Sequence, residues 1–388
     1  MDRSLLIVGA SARAAAQSAA AAGYAVAAVD QFVDVDLRAA AVHVRRCERF
    51  PYDVLRLERD LPTFDWLYVG GLENYPALVE RLAARRRLLG NDGPTLRRVR
   101  DARVLAAWAQ SVGLHVPEIA DGQASIKLAE GWLWKRARSA AGLGVVAATS
   151  AAAGGDAFRR GCGYLQRRVP GVPCGGLFLG DGRAASLIGT ARHLSVPAAG
   201  GSAPFRYGGS ILTPTDEAGG ADAWERIGQL LVEEFPLRGL FGVDAVVGDD
   251  GRLWLLEVNP RPTASVELFE RWSGESLIAR QIEVCRKGYA VDHRTVRDAR
   301  STPPPLGKQI VYSDRKDRMT PRVVERWLER RDTEGRPEVA DISPAGTLID
   351  RDQPLATVFA CGRTVAETAA ALDAAVRRLR DEFLNQGF

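Results

Sequence analysis

Phe241 to Pro262 reads FGVDAVVGDDGRLWLLEVNPRP: two runs of β-branched and large apolar residues, GVDAVV and RLWLLEV, around a GDDG turn signal. If Asp250-Gly251 is a two-residue hairpin loop, residue 249 faces 252 and Asp244 faces Glu257. Asn259, two residues past Glu257, shares its face, and Arg261 lies two further on. Two carboxylates and an amide oxygen then converge, with a cation beside them. An ordinary hairpin with charges on its wet face would show the same turn. Glu257, however, sits inside WLLEVNP, and a carboxylate in an apolar strand has a partner or a metal. Hard oxygen donors of this kind suit Mg²⁺ shared with substrate phosphates, so Asp244, Glu257 and Asn259 are the expected metal ligands.

Outside this stretch the composition is that of a globular protein. The chain has 388 residues, enough for two or three domains, with 46% hydrophobic and 26% charged residues. A net charge of +4 and the lack of a recognisable nucleic-acid motif argue against nucleic acid as a partner. Five scattered cysteines without a CxxC pair, and four histidines, give no zinc pattern and suggest a reducing compartment. No apolar run of membrane-spanning length occurs, and LLIVGA near the N-terminus reads as a strand rather than a leader. A cytoplasmic protein without a membrane partner is expected.

Residues 1–92 read as a small α/β domain: strand Leu5–Val8, an alanine-rich helix stopped by Gly23, then strand Tyr24–Val29. Gly9 is followed by ASARAA instead of a GxGxxG, which weakens a nicotinamide reading. A further strand, DWLYV, ends in Gly70-Gly71-Leu72-Glu73-Asn74. That turn stands where an open α/β sheet binds ligands, or Asn74 merely caps the helix entered at Pro76.

In residues 93–289 a helix is expected over Thr95–Gln110, with Val99, Val104, Leu105 and Trp108 buried. Lys135 follows Trp132 and Trp134 on a strand and precedes the small-residue loop Ser139–Gly144. A lysine beside such a loop can clamp phosphate, with the charge on the side chain and the loop's N–H groups close by. A solvated lysine before a glycine hairpin is the plain alternative. Tyr164–Val169 is extended and turns at Pro170-Gly171, and a glycine- and alanine-rich loop carries Arg206 and Tyr207. His193 reads as a structural residue. Asp222–Phe235 is an amphipathic helix.

The order of these parts resembles the ATP-grasp superfamily over roughly residues 1–290, and EVNPR at 257–261 looks like the Glu-x-Asn-Pro-Arg of biotin carboxylase-like carboligases. The resemblance implies α/β and α+β architecture: an ATP-grasp fold with an N-terminal Rossmann-like pre-ATP-grasp domain (1–92) and a small C-terminal α+β domain (300–388). The ATP-grasp domain (93–289) would divide into a lysine- and glycine-loop part, about 115–165, and a metal-binding part, about 166–289. The cofactors implied are ATP and Mg²⁺ or Mn²⁺. Lys135 would contact the nucleotide phosphates, with Ser139, Gly142 and Gly144 in the covering loop. Gln166, Arg167 and Val169 would form the adenine hinge, and Arg261 would steady the transferred phosphate. Arg103 stands where the family's first phosphate lysine is usual, and Gln166-Arg167 where an acidic ribose ligand is usual; arginine keeps the charge with different donor geometry. Family chemistry implies an ATP-dependent carboxylate–amine ligase with an acyl phosphate intermediate, of glutamate type in cofactor biosynthesis. Glu73, Asn74, Arg206 and Tyr207 would grip the acceptor. Bicarbonate activation, or a nucleotide-binding subunit without turnover, are the alternatives.

The tail, after the prolines of 300–305, carries a strand GKQIVY and a helix Thr364–Phe383, and resembles the C-terminal domain of biotin carboxylase-like enzymes. No biotinyl Met-Lys-Met occurs. The last helix packs in a core or, alternatively, forms a homodimer face.

Overall fold

The computed structural model describes residues 3–62, 64–121, 131–148, 162–196, 198, 203–288 and 304–385. Parts of the 195–210 loop and of the 300–305 linker, and the boundary at Tyr289, lie outside them. β1 (Ser4–Val8), β2 (Ala25–Asp30), β3 (His43–Arg46) and β4 (Asp65–Tyr68) form a parallel sheet in the order β3-β2-β1-β4. β1, β2 and β4 are short and almost wholly buried, as strands covered on both faces must be. The turn after β4 is therefore delivered to the carboxyl edge of the sheet.

A second sheet joins β5 (Ile119–Asp121), β8 (Gly163–Arg167), β6 (Trp132–Arg136) and β7 (Val145–Ala147), antiparallel throughout. Trp132, Trp134 and Leu165 fill its small core. The third sheet is the largest. β9 (Gly171–Asp181), β10 (Ala185–Ser195), β11 (Tyr207–Thr213), β12 (Arg238–Gly248) and β13 (Leu253–Asn259) are extended by β14 (Leu306–Tyr312), β18 (Pro354–Cys361) and β16 (Val339–Ala340). The order is β13-β12-β9-β10-β11-β14-β18-β16. Gly209–Ile211 of β11 pairs with Gly307–Gln309 of β14, so one sheet runs from the middle of the chain into the C-terminal region. β15 (Asp317–Arg318) and β17 (Leu348–Ile349) form a separate ribbon.

Helix Ala221–Glu234 lays Trp224, Ile227 and Leu231 on Phe178 and Phe241 of the large sheet. A second core carries helices Val266–Ser273 and Leu277–Lys287 together with helix Arg13–Ala21, which follows β1. In that junction Glu270 accepts hydrogen bonds from Ser18 Oγ at 2.5 Å and from the Leu277 amide at 2.8 Å. Burial pushes its carboxyl up to about 7 in spite of these donors. The folded state thus holds a proton that the unfolded chain releases near 4.5, so this contribution is complete below that pH and lost as pH rises through about 7. Glu270→Gln is expected to flatten the decline in melting temperature across that window, read by calorimetry at a series of pH values.

The sequence pattern suggested one helix over Thr95–Gln110. Instead there are two, Gly93–Val99 and Ala102–Ser111, because the Asp101 carboxylate accepts from the Arg103 and Val104 amides and starts a new helix. The restart leaves Val104 40% exposed rather than in the core, and Arg100, just before it, turns inward. Pro76 begins the helix Pro76–Ala83, but Asn74 does not cap it; it closes a short 3₁₀ turn, Leu72–Asn74.

Candidate active site

Asp244 and Glu257 are directly opposed, as the residue count required, though by a different route. Near the turn Val247 pairs with Leu253, so the loop holds three residues rather than two, with Gly251 at φ 74°. A bulge between Asp244 and Ala245, with Leu256 as the extra residue, restores the register. Asn259 Nδ2 then lies 3.0 Å from Asp244 Oδ2 and 3.5 Å from Glu257 Oε1. Both carboxylates remain about one-third exposed on this face, while Asn259 is buried.

Arg261 follows on the same run. Its Nε donates to Glu73 Oε1 at 2.9 Å, Nη2 to Asn259 Oδ1 at 3.3 Å and Nη1 to the Pro262 carbonyl at 3.1 Å. Glu73 is enclosed: burial raises its carboxyl, but Arg261 and Arg100 outweigh this and hold it below the ordinary value. Residues in and beside the parallel sheet pin this strand end directly, since Tyr68 Oη and Asn91 Nδ2 both donate to the Pro260 carbonyl, at 3.3 and 3.0 Å.

Arg100, which the sequence reading did not single out, reaches the centre of the site. Its Nη1 is 3.4 Å from Glu257 Oε2 and 3.2 Å from the Val258 carbonyl, and its Nη2 is 3.4 Å from Asn74 Oδ1. The Asp101 cap is the sequence signal that could have found it. Arg103 stands exposed on the first turn of the following helix. Burial lowers the Lys135 ammonium, Glu257 and Asp244 oppose the shift, and Arg100 adds to it; the net pKa is below the ordinary lysine value. Lys135 Nζ donates to Gln166 Oε1 at 3.0 Å.

The loop from Ser139 to Gly144 is held at three points. Asn74 Nδ2 donates to the Ser139 carbonyl at 3.2 Å, the Tyr207 amide to the Ala141 carbonyl at 2.9 Å, and the Arg136 amide to Gly144 at 3.0 Å. Gly142 sits at φ 69°, and a Cβ there would lie 1.9 Å from the Phe205 carbonyl oxygen. With the loop covering ATP as the resemblance implies, Gly142→Ala is expected to undock it and weaken ATP binding by roughly tenfold or more, a cost of at least about 1.4 kcal/mol, with the melting temperature little changed; titration calorimetry reads it.

Arg167 and Arg168 end the small sheet and donate their amides to Glu118 and Gly131, and Val169 lies in the short link to β9. Arg206 turns toward the C-terminal region. Its Nε donates to the Val196 carbonyl at 2.9 Å and its Nη1 to that of Asp352 at 3.0 Å, and the group lies 3.6 Å from the Tyr312 ring centroid. Buried against the C-terminal region, it anchors that region to the glycine-rich loop. The Tyr207 hydroxyl is bonded to Ser210 Oγ at 2.7 Å. His193, given no role from the sequence, comes within 3.5 Å of Asp244 Oδ1.

Two carboxylates, partly open and backed by an amide, with Arg100, Arg261 and Lys135 around them, form a donor set for a hard cation shared with an anionic ligand. Among the described residues no three or more His, Cys, Asp or Glu side chains gather where they could hold a metal ion, and here two carboxylates are joined by the Asn259 amide instead. The open side of the pair suits a cation that keeps phosphate or water ligands. None of the helices among the described residues is long and apolar enough to cross a membrane.

Residues 99–265 match the ATP-grasp domain family. No curated protein matches the chain by sequence. Among solved structures, the ADP complex of purK, N5-carboxyaminoimidazole ribonucleotide synthetase, superposes with a TM-score of 0.68 at 15% identity, covering 99% of this chain and 98% of its own. The Aspergillus clavatus carboxyaminoimidazole ribonucleotide synthase complexed with ATP gives 0.70 at 13%, covering 99% and 100%. The biotin carboxylase domain of Hydrogenobacter thermophilus 2-oxoglutarate carboxylase, with MgADP, ADP and bicarbonate, gives 0.69 at 13%, covering 99% and 94%. At these identities the likeness is one of fold, and it extends over the whole chain.

Proposed function

Starting from the ATP-grasp domain at residues 99–265, we propose that the chain is an ATP- and Mg²⁺-dependent carboxylate–amine ligase that forms ADP. The observation that carries this reading is the meeting of Asp244, Glu257 and Asn259 with Arg100, Arg261 and Lys135, from separate segments, at one face. Mg²⁺ bound by the two carboxylates and Asn259 would neutralise charge on the phosphates during transfer. Lys135 and the backbone of the Ser139–Gly144 loop hold the phosphate chain. A carboxylate oxygen of the substrate attacks the γ-phosphorus, ADP leaves, and an acyl phosphate remains. An amine nitrogen then attacks the acyl carbon; phosphate leaves, the amine loses a proton and an amide forms. The protein supplies position and charge, with no covalent nucleophile. Arg261, fixed by Glu73 and Asn259, is placed to meet the transferred phosphoryl group. Asn74 joins the first domain to the phosphate loop, where the acceptor would enter.

A glutamate-type acid in cofactor biosynthesis is the finer form of this proposal. The bicarbonate in the Hydrogenobacter relative's complex favours a second form, in which bicarbonate is the acid activated. ADP release with Mg·ATP and hydroxylamine across a panel of acids, glutamate and bicarbonate included, separates them. A hydroxamate from one organic acid supports the ligase, ADP release with bicarbonate alone supports the second form, and nucleotide binding with no ADP release on any acid would sink both. Small-molecule substrates and a homodimer complete the proposal.

A further inference from the structure

Asp244 pairs across the large sheet with Gly175 of β9, and Gly175 pairs in turn with Ala191 of β10. His193 lies two residues beyond Ala191, on the same face. Because position 175 has no side chain, the His193 ring lies across the intervening strand. Its Nε2 reaches to 3.5 Å from Asp244 Oδ1, and a Cβ added at Gly175 would stand 2.5 Å from that same nitrogen. The other nitrogen, Nδ1, is 3.1 Å from Ser210 Oγ, which is bonded to the Tyr207 hydroxyl; the Tyr207 ring meets the imidazole edge-on at 5.8 Å. Among the described residues Nε2 is enclosed without a hydrogen-bond partner at normal distance. Enclosing an unsatisfied ring nitrogen costs free energy that a leucine or phenylalanine filling the same space would not incur.

We propose that His193 is a positioning residue for Asp244. Its ring, oriented by Ser210 and Tyr207, faces the Oδ1 edge of the carboxylate at 3.5 Å while Asn259 Nδ2 donates to Oδ2, so that the group keeps one attitude toward a divalent cation. Hydrogen-bonded partners behind a ligand typically change metal affinity by about 10- to 100-fold when removed. The inference rests on the ligase reading, which makes Asp244 a metal ligand. Tyr207 also takes the Ala141 carbonyl on its backbone amide, so the phosphate loop and the Asp244 carboxylate are steadied from one strand end.

The test is Mn²⁺ binding by electron paramagnetic resonance in the presence of ADP, with ADP binding measured separately without metal. His193→Leu is expected to weaken Mn²⁺ binding by about tenfold and to leave metal-free ADP binding and the circular dichroism spectrum unchanged. His193→Gln, whose amide nitrogen can occupy the Nε2 position, should recover most of the loss, and Ser210→Ala should fall between. Equal Mn²⁺ affinity in wild type and His193→Leu overturns the inference. So does a His193→Gln variant as weak as His193→Leu, since the effect would then be packing. Should His193→Leu fail to fold, unchanged Mn²⁺ affinity in Ser210→Ala overturns it instead. Wild-type protein that binds no Mn²⁺ with ADP overturns the ligase reading and this inference together.

Discussion

Replacing Glu257 by glutamine is expected to cut ADP formation by at least about 100-fold while leaving the unfolding midpoint almost unmoved. The carboxylate belongs to the open face of the hairpin and is 37% exposed, so its ion pair with Arg100 at 3.4 Å contributes at most about 1 kcal/mol after solvent screening. Arg100 keeps the Val258 carbonyl and Asn74 as partners. Register does not depend on residue 257 either, because the apolar neighbours Leu255 and Val258 hold the strand in the core. Turnover by ADP release and stability by calorimetry read the two effects apart. A variant that unfolds would return Glu257 to an ordinary structural ion pair.

Arg13→Met should have the opposite signature, with a loss of stability of about 3–5 kcal/mol read from the denaturant midpoint. Arg13 is 2% exposed and ion-paired to Glu267, to Asp341 at 2.9 Å and to Asp36 at 3.5 Å; Lys308 reaches Glu267 at 3.1 Å. Removing the guanidinium leaves Asp36 and Asp341 without their Arg13 partner and Glu267 with Lys308 and the more distant charge of Arg271. Burial already pushes Asp36 up to about 6 with Arg13 in place. Glu267 and Asp341 are raised by burial but pulled below their ordinary values by Arg13, a contribution present above about 4.5 and lost as pH falls. The gap between wild type and Arg13→Met should therefore narrow in acid. Adding Glu267→Gln and Asp341→Asn to Arg13→Met should recover much of the loss; no recovery would mean that packing, and not uncompensated charge, sets the effect.

What the sequence disclosed and concealed follows from the range of each interaction. Asp244, Glu257 and Asn259 were legible because a hairpin is local and strand parity carries side-chain direction over its whole length. Even there the loop was one residue longer than inferred, and the bulge at Leu256 cancelled the difference. Arg100 was hidden by a helical pattern that contains neither glycine nor proline; only the cap at Asp101 marks the break. His193 was hidden more deeply. Its relation to Asp244 depends on β10 lying one strand beyond β12's neighbour β9 and on an absent side chain at Gly175, neither of which has a local signature. The Arg206 partners were hidden too, because they come from a part of the chain far along in sequence.

The pairing of β11 with β14 bears on how the molecule is made. On the ribosome β11 emerges well before β14, with β12, β13 and, among the described residues, three α-helices synthesised between them. Throughout that interval Gly209–Ile211 presents an unpaired edge, and Ile211, wholly covered in the finished fold, faces water. The nascent chain is then open to wrong strand partners, and to chaperones that bind such edges, until β14 arrives. Rare codons or pauses placed before β14 would lengthen this exposure, and expression yield would register them more sharply there than anywhere upstream of β11.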